Sequence, residues 1–203
     1  MTASKQTLMT IGHTTHELDA FVAMLKQHGV TAVADVRSQP YSRRLEQFNR
    51  ENLAAELASA GIGYVFLGDE LGARREEAEC YDGDRADYRR IAELPKFRAG
   101  LDRLREGAAR FRIALVCAEK EPLDCHRTVL VCRHLRDEFQ ILHILDDGTT
   151  EGHAQTEKRL VREMGVSRTL FEPDLTTEQL IQQAYDLRGE QIAYRANGEG
   201  VAP

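Results

Sequence analysis

Tryptophan is absent from this chain of 203 residues, and aromatic residues make up only 6% of it. A core built on large rings is thereby excluded, which leaves Val, Leu, Ile and Ala to fill the interior. No apolar run approaches the ~18 residues of a membrane-spanning helix, and the opening MTASKQTLMT holds no apolar stretch long enough for a secretory signal. The expected setting is the cytoplasm, with no membrane partner, and there Cys80, Cys117, Cys125 and Cys132 are expected as thiols. An excess of positive charge is also missing. The net charge of -6 gives no global attraction to nucleic acid. Arg37, Arg43, Arg44 and Arg50 do form a local basic run, read as a solvated face or as a nucleic-acid contact.

Sharp catalytic signatures are missing as well. No G-x-x-x-x-G-K-[ST] loop occurs, and Gly61 and Gly63 do not extend to a dinucleotide fingerprint. No G-x-S-x-G elbow and no H-x-E with P-C-x-x-C is present. A phosphatase-type loop wants Arg six positions after Cys, but Cys117 leads to Leu123 and Cys125 to Val131. There is no C-x-x-C pair, and the spacing Cys117-x7-Cys125-His126, even with Cys132 or His134 in reserve, is not that of a zinc finger. The expectation is no cofactor and no metal.

What is present is an alternation of short β-rich runs with helical patterns. TLMTIG (7–12), VTAVADV (30–36), GYVFL (63–67), FRIALVC (111–117) and FQILHIL (139–145) read as strands. Between them, Leu18, Phe21, Val22 and Leu25 have helical spacing, with Thr14 and Glu17 as a capping box and Gly29 as the stop. Asn49 opens a second helix that ends at Gly61, and Pro95 opens a third with Phe97, Leu101 and Leu104 on one face. Asp124 is expected to cap a fourth, with Thr128, Val131, Cys132 and Leu135 as its stripe; two more fall near 152–164 and 176–187. This alternation predicts a Rossmann-like, three-layer α/β fold: a mostly parallel sheet of about five strands with helices on both faces. A single domain is expected over 1–188, with a loose tail over 189–203. Segment 68–93 reads as irregular. It is either a lid, with Tyr81, Tyr88, Arg89 and Arg90 over a ligand, or a homodimer contact.

In such sheets ligands bind beyond the carboxyl ends of the strands. Three polar groups gather there: Gly12 and His13; Asp35 and Arg37; and Cys117 and Glu119, with Cys125, His126 and Arg127 in the turn that follows. Arg37 and Arg127 offer fork geometry to an anion, with Arg43 near by; alternatively Asp35 and Arg37 pair with each other. Glu119 is a general acid or base, or it orients an arginine. His13 is a second proton-transfer group or a hydrogen-bonded one. Cys125 sits at a helix N-terminus, where a thiolate nucleophile is favoured; it also shares a face with Thr128 and Cys132, and the alternative reading is a small apolar residue packed on the sheet.

TIGHTTHELDAFVAMLKQHGVTAVADVRSQPYS, LGDELGARR and CAEKEPLDCHR, in that order, resemble the domain-of-unknown-function family numbered 488 over roughly residues 9–145. The resemblance implies a bacterial or archaeal intracellular α/β protein without a settled activity. It implies shared polar positions at Gly12, His13, Asp35, Arg37, Pro40, Leu71, Gly72, Cys117, Glu119, Cys125, His126 and Arg127. The segment EEAECYDGDRAD departs from it. The functional expectation is a hydrolase or group transferase acting on a phosphorylated or otherwise anionic small molecule such as a nucleotide derivative. A nucleotide or nucleic-acid binding module and a thiol or structural role are the alternatives.

Overall fold

A computed structural model describes residues 5–168 and 174–196. Its centre is a sheet of six strands: β1 (Thr7–Gly12), β2 (Ala32–Asp35), β3 (Gly63–Phe66), β6 (Ile113–Cys117), β7 (Gln140–Ile144) and β8 (Thr150–Gly152). β4 (Tyr81–Asp82) and β5 (Arg85–Ala86) make a separate two-stranded ribbon. The order is β3-β2-β6-β1-β7-β8, parallel except for β8. The predicted parallel sheet is therefore present, with one more strand than expected. That strand returns through a tight turn in which Leu145 and Thr149 close the backbone and Asp147 Oδ1 accepts from the Thr149 N–H. Asp147-Gly148 was the readable hairpin signal.

The helices are α1 (Leu18–Gln27), α2 (Arg50–Ser59), α3 (Gly68–Leu71), α4 (Tyr88–Glu93), α5 (Pro95–Ala108), α6 (His153–Glu163) and α7 (Thr177–Ile192). Side chains alternate across a strand, so each central strand feeds both faces. Met9, Ile11, Val33, Ala114 and Val116 meet Phe21, Val22 and Leu25 of α1 and Leu53 and Leu57 of α2. These two leucines are the only buried side chains of α2, and their burial contributes roughly 3–6 kcal/mol to docking it. Leu8, Ala34, Ile113, Leu115 and Cys117 face the other way, onto α3 to α7 and the segment 123–135.

Four local expectations are corrected. Thr14 does not cap α1: its φ is +39°, and the helix begins at Leu18 with Glu17 before it. The turn is held in this conformation, costly for a β-branched residue, because the Thr14 N–H reaches the Ala118 carbonyl at 2.9 Å. Asp124 caps no α-helix: it pairs with Arg188, and the chain beyond it winds as a π-turn over Arg127–Val131 and a 3-10 turn over Cys132–His134. Segment 68–93 is largely ordered, holding α3, the ribbon and α4, with Tyr81 Oη bonded to Arg75. The expected loose tail is helical to Ile192, and the Tyr194 carbonyl and Ala196 N–H bond to Ala86 and Asp84 of the ribbon. Residues 197–203 of that expectation lie outside the described residues. Among the described residues no helix is long and apolar enough to cross a membrane.

Candidate functional site

Strand order decides what meets at the carboxyl edge. β6 lies between β2 and β1, with Gly12 opposite Cys117 and Asp35 opposite Val116. His13, Arg37 and Glu119, remote in sequence, therefore leave adjacent strands at one end. The approach is so close that a β-carbon at Gly12 would stand 1.9 Å from the Glu119 carbonyl oxygen. Both groups are backbone-fixed, so Gly12→Ala is expected to cost about 3 kcal/mol or more and to displace Glu119. Gly152→Ala, with nothing within 4 Å of the added carbon, is the control, and urea denaturation of the two variants makes the comparison.

Asp35 and Arg37 pair with each other in fork geometry, Nε to Oδ1 at 2.9 Å and a terminal nitrogen to Oδ2 at 2.6 Å. Tyr64 donates its hydroxyl to the same carboxylate at 2.8 Å. The other terminal nitrogen of Arg37 donates to His13 Nε2 at 3.2 Å, while His13 Nδ1–H donates to the Thr14 carbonyl at 3.0 Å. The His13 ring stacks on Phe48. Burial and the adjacent Arg37 push its pKa down to about 4, so the ring is neutral and both nitrogens are engaged. Asp35 and His13, both placed among the candidate catalytic residues by their position at strand ends, each bond to Arg37, with the Tyr64 hydroxyl and the Thr14 carbonyl as their further partners.

Four donors converge behind the edge of β6. Cys117 Sγ, Glu119, Cys125 Sγ and His126 Nδ1 all lie within 4.8 Å of one another. The His126 ring is fixed by its Nε2, 3.0 Å from the Val36 carbonyl, which turns Nδ1 toward Cys117 Sγ at 3.6 Å and Cys125 Sγ at 4.0 Å. Cys125 Sγ lies 2.9 Å from Glu119 Oε2, which places one proton between those atoms. Burial and the neighbouring Cys125 push the Glu119 carboxyl up. Burial opposes ionisation of Cys125, yet Cys117, Arg127 and His126 hold its thiol well below the ordinary value; burial pushes Cys117 well above it. All four cysteines are free and buried.

Arg127 points inward and is not among the residues lining the cleft. It is fully buried and donates to the Glu119 carbonyl at 2.6 Å and the Lys120 carbonyl at 3.3 Å. The fork expected for an anion is used to brace the turn that carries Glu119. Arg43 is exposed and lies outside the cleft. Arg89 pairs with Asp186, and Arg90 donates to the Tyr81 carbonyl; neither is among the residues lining the cleft.

The donors open into a cleft of about 610 Å³ whose lining includes Arg37, Arg74, Tyr88, Cys117, Glu119 and His126. Residues 191–195 form a further wall, set by the bonds from Tyr194 and Ala196 to the ribbon. Arg74 is a cleft residue that the strand-end pattern does not single out. It is exposed, donates to Gln39 Oε1 at 2.9 Å, stacks over Tyr194 and pairs with no carboxylate among the described residues. Its place in LGDELGARR was the available signal. Tyr88, expected in a lid, lines the cleft itself.

Fold and site together define a doubly wound α/β protein with a polar, thiol-lined cleft at the carboxyl ends of its parallel strands. The chain belongs to the family described as "Domain of unknown function DUF488", whose model matches residues 17–133, more than half of its length. The match takes in Asp35 to Arg127 and leaves Gly12 and His13 just outside it. No curated protein and no solved structure matches the chain.

Proposed function

We propose that this protein is an enzyme, a hydrolase or group transferase, acting on an anionic small molecule of nucleotide size. One observation carries the reading: Arg37 and Arg74 line the same cleft as the Glu119 carboxyl, so a bound anion would place its reactive end beside a proton-transferring group. The cleft's volume suits a ligand of that size. Arg74 supplies the charge not already matched by a carboxylate; Arg37, neutralised by Asp35, supplies donors and orientation. Glu119 moves the proton, since its raised pKa brings it nearer the working pH. Cys125 acts as support, because at 1% exposure it lies beneath the cleft. A cytoplasmic setting, which keeps buried thiols reduced, fits this assignment.

The test is a thermal-shift and turnover screen over phosphorylated and carboxylated metabolites. A ligand that raises the wild-type melting temperature is expected to bind Arg74→Ala about tenfold or more weakly, a loss of ~1.4 kcal/mol. Glu119→Gln is expected to keep binding and lose turnover about 100-fold or more. Binding without turnover in wild type would instead identify a sensing module. Equal binding by Arg74→Ala would remove the anion cleft from the account.

A further inference from the structure

The four donors behind β6 form a constellation that the anion-cleft reading leaves unused as a set. We infer that Cys117 Sγ, Cys125 Sγ, His126 Nδ1 and the Glu119 carboxylate bind a single Zn²⁺ ion, with the thiol protons released to solvent.

Geometry is the first support. Tetrahedral zinc, with bonds of about 2.3 Å to sulfur and about 2.0 Å to nitrogen, separates those donors by roughly 3.5 Å. His126 Nδ1 lies 3.6 Å from Cys117 Sγ and 4.0 Å from Cys125 Sγ, and no pair among the four donors exceeds 4.8 Å. The Cys125–Glu119 separation of 2.9 Å must widen, as it would once the intervening proton leaves.

The surroundings are the second support. A ligating histidine normally anchors its other nitrogen, and His126 Nε2 does so on the Val36 carbonyl. The Arg127 backbone N–H donates to Cys125 Sγ at 3.4 Å, the kind of contact that steadies a ligating thiolate. Arg127 is also a fully buried guanidinium whose partners are the carbonyls of residues 119 and 120 and the Thr10 hydroxyl. No carboxylate pairs with it among the described residues. Two thiolates, one carboxylate and Zn²⁺ sum to a single negative charge, which the Arg127 cation balances. Thiolate and imidazole donors select zinc over magnesium or calcium. Cys117, Glu119 and His126 line the cleft, which gives the ion an entry path.

The spacing argument from sequence fails here because it assumes that a finger's loop supplies the ligands. In this fold the end of β6 gives Cys117, the turn just past it gives Glu119, and the two residues immediately before the π-turn give Cys125 and His126.

The full-length protein, reduced and freed of metal, is titrated with Co²⁺ and then Zn²⁺. One equivalent of Co²⁺ is expected to give a thiolate-to-cobalt charge-transfer band and the intense visible bands of tetrahedral coordination, with Zn²⁺ displacing it. Cys117→Ser and His126→Gln are expected to weaken Zn²⁺ binding by about 100-fold or more, while Cys80→Ser and Cys132→Ser leave it unchanged. Absence of the charge-transfer band in the wild type overturns the site, whatever the variants do. This readout uses neither turnover nor anion binding, so failure of the site and failure of the proposed activity are distinguishable; with the ion bound Glu119 is a ligand, and the proton-transfer role given to it above belongs to the metal-free protein.

Discussion

Asp35→Ala is expected to destabilise the protein by about 3–5 kcal/mol, measured as the shift in urea midpoint near neutral pH. Arg37 is only 7% exposed, and Asp35 accepts three of its N–H bonds together with the Tyr64 hydroxyl. Truncation leaves a desolvated cation whose only remaining side-chain hydrogen bond among the described residues is to His13, already short of solvent. Arg37→Ala should be comparably damaging, because it strands a carboxylate of 0% exposure. An Asp35→Leu/Arg37→Met double variant removes both charges at similar volume and should recover much of the loss. A coupling of about 2 kcal/mol or more between the sites is the expected signature. If Asp35→Ala costs less than about 1 kcal/mol, the pair is hydrated and the description of a dry, pre-organised Arg37 is wrong.

Mild acid should weaken the fold well before most carboxylates titrate. His143 and His153 are buried and bonded in a chain: Thr10 Oγ1 to His143 at 2.8 Å, His143 to His153 at 2.9 Å, and His153 to Tyr185 Oη at 2.9 Å. Tyr185 donates on to Glu157, which Arg136 also pairs, and the cations Arg127, Arg136 and Arg159 bear on the two rings. Burial and Arg136 push His153 from 6.5 down to about 4; burial and its neighbour His153 push His143 well down. The unfolded chain therefore binds protons that the folded one refuses. Stability is full above about pH 7 and falls as pH drops from the unfolded value toward 4, by about 3 kcal/mol for His153 alone. Glu119, Glu157 and His126, whose values are raised, act in the opposite sense and temper the slope. Urea midpoints across this range should fall steadily in the wild type. A His143→Gln/His153→Gln variant should start lower and fall less. A wild-type midpoint that is flat between about pH 7.5 and 4.5 would refute this account.

Hydrophobic pattern made the fold legible. Near-continuous apolar runs such as IALVC, buried at every position, allow no reading but a strand covered on both faces. The stripes of α1 and α5 announced the layers that cover it. Where expectation failed, a residue's local preference competed with a distant partner. Thr14 and Asp124 are good caps in isolation, but the Ala118 carbonyl and Arg188 claim them instead. The C-terminal stretch looked loose because the ribbon that holds it lies more than a hundred residues earlier.

By itself the sequence determined that this is a parallel α/β protein and which side chains collect at its strand ends, because burial period and strand direction are local properties. Only the tertiary structure decided that β6 inserts between β2 and β1. From that insertion it follows that Asp35 and His13 serve Arg37, that Arg127 braces a turn, and that Cys117, Glu119, Cys125 and His126 share one small volume. Strand order is set by how whole layers bury their apolar faces, and no short stretch of sequence encodes it.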